Sequence, residues 1–206
     1  MMKKTLAAAT AAIGLLTAGS ASATSFFGTQ AEAFPTPATV SSPAPFAGRD
    51  DVNSVLTGPD ATLNPDSGFY SLGFGGVVIV DFGAIVSGAI TIDEITTMCT
   101  DPSGTCTGHP ESVDVLVSDT YTWGSGDTSG FTKVGEIGNA DAQNGATVNG
   151  SGRYIALLDT TVQGGGSFDG FDLDVVSVQQ IPLPAAGWML LTAIGGFFMA
   201  GRKRAA

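Results

Sequence analysis

Apolar residues alternate with polar ones in short runs along the middle of the chain, and solid apolar blocks stand at its two ends. Val77-Val78-Ile79-Val80-Asp81-Phe82 is a mostly β-branched run bounded by Gly76 and Gly83. Residues 89–95 alternate, which puts Ile90, Ile92 and Glu94 on one side, and Val113, Val115 and Val117 share one face of 113–118. Further strands are expected over 131–137, 153–159 and 171–178. Turn signals separate the runs: Gly124-Ser125-Gly126, Asn144-Gly145, Asn149-Gly150 and Gly164-Gly165-Gly166. No 3.6-residue period runs between the two ends. The pattern predicts an all-β chain, a single β-sandwich of the jelly-roll kind, with a helix in each terminal block.

The terminal blocks read as addresses rather than as fold. Lys3 and Lys4 precede an apolar run over 6–16, and small residues follow, ending Ala21-Ser22-Ala23. This is the order of a secretory signal, with Ala21 and Ala23 marking cleavage before Thr24. At the other end Ile181-Pro182-Leu183-Pro184 leads into the apolar stretch 185–200 and then Gly201-Arg202-Lys203-Arg204. As a helix, that stretch spans about 24 Å, slightly short of a ~30 Å hydrocarbon core. The basic cluster belongs in the cytoplasm by the positive-inside rule. The expected organisation is a signal peptide (1–23), a Pro/Ala/Ser-rich arm or loosely held first strand (24–48), a β-sandwich ectodomain (49–180) and a tail with a short transmembrane helix (181–206).

Charge sharpens this picture. Of 206 residues, 19 are acidic and eight basic, and five of the basic ones are in the terminal blocks. Arg49, Lys133 and Arg153 are left among all 19 acids, so the middle carries a formal charge of −16. Such a field disfavours nucleic acid and anionic lipid as partners and attracts cations. Solubility in a salty exterior accounts for the same charge.

Two cysteines, Cys99 and Cys106, enclose six residues, and in an exported chain the expected state is a disulfide closing that loop. They make a poor zinc site. The one histidine, His109, sits in a Cys-Thr-Gly-His-Pro loop, and no Gly-x-Ser-x-Gly elbow is present to build a serine triad. Asp172 and Asp174 are two apart in an expected strand and share a face, which suits a hard cation or equally a solvated surface. Tyr121 and Trp123 lie in a Gly/Ser-rich loop, where exposed rings can stack on a sugar or close the end of a core.

Two resemblances follow from these residues. Pro182-Leu183-Pro184-Ala185, the apolar helix and Arg202-Lys203-Arg204 resemble the VPLPA-type sorting signal of the PEP-CTERM group, with Ile181 in place of the usual Val. That likeness implies recognition and removal of the tail by an exosortase, with transient inner-membrane anchoring and a producer of extracellular polysaccharide. A plain single-span anchor is the alternative. Leu72-Gly73-Phe74-Gly75-Gly76, 110–118, 153–159 and 170–176 together resemble discoidin-like, galactose-binding-like jelly rolls. This second likeness implies glycan binding with a structural calcium, and it places Asp50, Asp51 and Asn53 beside Asp172 and Asp174. The expected function is therefore a non-catalytic cell-surface or matrix protein associated with exopolysaccharide or biofilm, the alternative being a secreted polysaccharide hydrolase.

Overall fold

Strand propensity and alternation produce one antiparallel sheet folded over on itself. The computed structural model describes residues 24–34, 49–63, 66–95, 110–142, 145–162 and 170–180. In chain order these form β1 (Thr24–Phe27), β2 (Gln30–Phe34), a 3-10 turn (Val52–Leu56), β3 (Thr62–Leu63), β4 (Asp66–Ser67), β5 (Tyr70–Ser71) and β6 (Val77–Glu94). They continue with β7 (Ser112–Ser118), β8 (Thr132–Gly138), the one-turn helix α1 (Asn139–Ala142), β9 (Ala146–Asp159) and β10 (Asp172–Gln180). The main sheet runs β1-β10-β6-β9-β7-β8, with β2 added against β6 and β5 against β10, while β3 and β4 pair separately.

The two long strands make the sandwich. The first part of β6 pairs with β2 and with the end of β9, and its second part pairs with β10 and the start of β9. Between the parts the β6–β9 register shifts from Asp81 to Val86, so both strands bend and pass from one leaf to the other. Val78, Val80, Val113, Val115, Ile155 and Leu157 from one leaf meet Ile90, Ile92, Leu173, Val176 and Val178 from the other in a single buried core. Asp81 pins the bend. It accepts from Arg153 Nε at 2.8 Å, from Arg153 Nη2 at 2.7 Å and from Gly83 N at 2.6 Å. That paired guanidinium holds the Asp81 carboxyl below the usual carboxylate range.

Three expectations are corrected here. Residues 77–82 and 89–94 belong to one strand, since the pairing with β9 that breaks after Asp81 resumes at Val86, beyond Gly83 at φ 74°. Asn149-Gly150 is no turn; the pair lies inside β9, with Asn149 opposite Ala89 and Gly150 opposite Gly88. A Cβ at Gly150 would stand 2.7 Å from Ile90 Cδ1 and 3.2 Å from Val117 Cγ1, so glycine is there to let the leaves close. The sandwich also opens at Thr24 rather than near Arg49, since β1 pairs with β10 and β2 with β6. The alternation expected over 113–117 and 90–94 stands as read, with all of those inward residues buried.

The expected cleavage residues Ala21 and Ala23, Cys99, Cys106, His109 and the sorting residues Pro182, Leu183, Pro184, Ala185, Arg202, Lys203 and Arg204 lie outside the described residues. Among the described residues no helix is long and apolar enough to cross a membrane.

Candidate functional site

The outer face of one leaf carries its own apolar patch. Val77, Ile79, Tyr154 and Ala156 point away from the main core, and Phe34, Leu116, Tyr121, Phe131 and Leu158 pack over them. The covering chain is the loop from β7 to β8, residues 119–131. Its aromatic residues are drawn to this patch because the leaf would otherwise expose it to water.

Tyr121 is the wedge. Its ring meets Tyr154 at 5.6 Å, Phe131 at 5.7 Å and Trp123 at 6.2 Å between centroids, all edge-on. Such T-shaped pairs each add about 0.5–1.5 kcal/mol beyond burial. Arg153 lies over the Tyr154 ring at 5.0 Å, so the aromatic stack continues into the ion pair at the sheet bend. The Tyr121 hydroxyl accepts from Gly126 N at 2.9 Å. Burial first, then the hydrogen bond to Glu32, pushes this phenol above its ordinary value.

Local turn chemistry shapes the rest of the loop. Ser118 Oγ accepts from Thr120 N at 3.3 Å, Ser125 N donates to Thr122 O at 3.1 Å, and Asp127 Oδ1 accepts from Ser129 N at 2.8 Å. Gly124 and Gly126 take φ of 83° and 65°, and the second packs against the Phe34 ring. From β2, Glu32 accepts Gly124 N with both oxygens at 3.0 and 3.1 Å. The loop is thus clamped to a strand 92 residues earlier.

The result is a shallow, open bowl of about 460 Å³ lined by Thr120, Tyr121, Thr122, Ser125, Asp127, Ser129, Gly130 and Phe131. Trp123, adjoining Tyr121, keeps 43% of its surface exposed. The two aromatics expected from sequence therefore come together, one holding the loop and one facing solvent. Phe131, Asp127 and Glu32 were not expected here. The recurrence of an aromatic at each end of a Gly/Ser run (Tyr121, Phe131) was the available signal for the first, whereas only the folded sheet brings in Glu32.

Most of the residues expected to gather around calcium engage protein partners. Asp172 accepts from Ser71 Oγ and pairs with Arg49 at 3.6 Å. Asp174 Oδ1 faces Asp60 N and Ala61 N at 3.4 and 3.3 Å. Asp51 caps the 3-10 turn, accepting from Asn53 N at 2.9 Å and Asn53 Nδ2 at 3.0 Å, and Asp50 is exposed. Among the described residues no three acidic, histidine or cysteine side chains converge as metal ligands would. Asp172 and Glu111 also lie near enough to buried Glu94 for their charges to act on it. Burial, then the charges of Glu111 and Asp172, push the Glu94 carboxyl up to about 10.

No protein-family model matches the chain, and no curated protein matches it. Among solved structures it is similar to the family 32 carbohydrate-binding module of EndoD from Streptococcus pneumoniae, at 13% identity over 75% of this chain and 98% of that one, TM-score 0.48. It is similar also to chitosan-binding module 1 of a chitosanase/glucanase from Paenibacillus sp. IK-5, at 14% identity over 74% and 95%, TM-score 0.45. A third is a fucolectin from striped bass, Morone saxatilis, serum, at 14% identity over 73% and 46%, TM-score 0.46. At this level of likeness, function must be argued from the chain's own residues.

Proposed function

We propose that the chain is an exported, non-catalytic glycan-binding module that associates with extracellular polysaccharide through the 119–131 loop. The observation that carries this is the exposed Trp123 ring, buttressed by Tyr121 beside a shallow bowl lined with hydroxyls. Sugars present C–H groups to the negative face of an aromatic ring and hydroxyls to polar side chains, and this loop offers both kinds of group. An open bowl suits a chain passing along a surface better than a reaction needing excluded water. Its lining includes a single carboxylate, Asp127, whereas glycoside hydrolysis ordinarily uses a pair.

Titration calorimetry of the purified chain against the polysaccharide of its producing cells tests this reading. Trp123→Ala is expected to weaken binding by about tenfold or more, as loss of an aromatic anchor does. Equal affinity of the variant and the parent chain would sink the assignment of the site.

The terminal segments complete the proposal: secretion with removal of 1–23, transient anchoring in the inner membrane, and release of the tail near Pro182-Leu183-Pro184-Ala185 by an exosortase. The intact mass of protein from the cell surface or medium is expected to lack both ends. A mass that retains 185–206 would replace sorting with a plain anchored ectodomain.

A further inference from the structure

The charges around the bowl restrict which glycan it can hold. Asp127 is exposed, its carboxylate oriented by Ser129 N, and Ser129 keeps it ionised by holding it below its ordinary value. A second carboxylate, Glu32, stands behind the loop at Gly124. Residues 24–180 contain three Lys and Arg side chains, and each is paired with an acid. Arg49 is with Asp172 at 3.6 Å, Lys133 with Asp114 and with Glu136 at 3.0 Å, and Arg153 with Asp81 at 2.7 Å. A carboxylated or sulfated sugar entering the bowl would meet Asp127, and among the described residues no Lys, Arg or His lines the bowl to offset it. An ammonium group in the bowl would gain from Asp127, the carboxylate in its lining.

We infer that the bowl prefers glycans carrying protonated amino groups over neutral ones and disfavours acidic glycans. This rests on the glycan-binding reading and goes beyond it by naming the ligand's charge. The hydroxyls of Thr120, Thr122, Ser125 and Ser129 hold the sugar's own hydroxyls, and Asp127 reads the amine.

Calorimetry with a glucosamine hexamer, its N-acetylated counterpart and a uronate hexamer tests the inference, at a pH where the free amines are protonated. The glucosamine hexamer is expected to bind about three- to fivefold tighter than the N-acetylated one, the scale of an exposed ion pair, and the uronate hexamer weakest. Asp127→Asn should abolish the preference. Asp141→Asn, the same charge change on exposed α1 outside the bowl, should keep it. Equal binding of the amine and N-acetyl hexamers, tightest binding of the uronate, or equal effects of the two Asn variants would each overturn the amine preference. If Trp123→Ala still weakened binding in those cases, the glycan-binding reading would stand. Binding by no hexamer would overturn this inference and leave the glycan reading to the titration with native polysaccharide, whereas binding untouched by Trp123→Ala would remove the site and this inference together.

Discussion

Asp159→Ala is expected to cost about 4 kcal/mol of stability, near the upper limit for a single substitution. Asp159 is buried at the end of β9, and its carboxylate accepts from Gly75 N at 2.9 Å, Phe171 N at 3.1 Å and Thr161 Oγ1 at 2.7 Å. Its own N–H donates to Gly76 O at 2.9 Å. The side chain therefore ties the entry to β6, the end of β9 and the entry to β10 at one point. Truncation to alanine strands two backbone donors and a hydroxyl, each worth about 1–3 kcal/mol when left unsatisfied in a buried setting. Asp159→Asn keeps one acceptor oxygen but turns an amide toward a donor, so it should fall between alanine and the parent. Urea unfolding should show the midpoint drop with the slope unchanged. A loss below about 1 kcal/mol for alanine would mean that water replaces the carboxylate and that the junction is not sealed.

The glycine run 72–76 and the segments 153–159 and 170–176, separate in sequence, meet at Asp159. Strand identity was legible wherever one face is buried and the other is not, as over Val113, Val115 and Val117. It was misread where glycine does two jobs. Gly83 and Gly150 look alike in sequence, yet one bends a strand and the other lets two leaves approach, and only long-range pairing distinguishes them. The strands β1 and β2 looked like an arm because an edge strand takes its order from the partner it joins. The site followed the same division. Tyr121-Thr122-Trp123 was visible as aromatic residues in a loop, whereas the clamp from Glu32 depends on a contact across 92 positions.

Raising the pH from about 5 to 8 is expected to destabilise the protein, and Glu94→Gln to remove much of that loss. Glu94 is 5% exposed, beside Glu111 and Asp172, with Arg49 on Asp172 and Asn139 Nδ2 3.4 Å from Glu111. Its carboxyl is pushed up to about 10 by burial and then by the two neighbouring acids. In the unfolded chain the same group titrates near its ordinary 4.5. The folded state thus holds a proton that the unfolded state gives up between those values. The stabilisation is complete below about 4.5 and is lost as pH climbs toward 10. Asp174, pushed up to about 6 by burial, adds to the loss over the lower part of that range. Asp81 works the other way: its lowered carboxyl contributes stability above its unfolded value, and that share disappears on acidification. Together these place the optimum in mildly acidic solution. Glutamine at 94 is neutral in both states and retains a donor toward Glu111, so at pH 8 the variant should be about 2 kcal/mol more stable, or about 4–8 °C in Tm. Near pH 4 the two proteins should converge. A variant that melts lower than the parent at pH 8 would show that Glu94 is ionised in the fold and held by its surroundings as a charge.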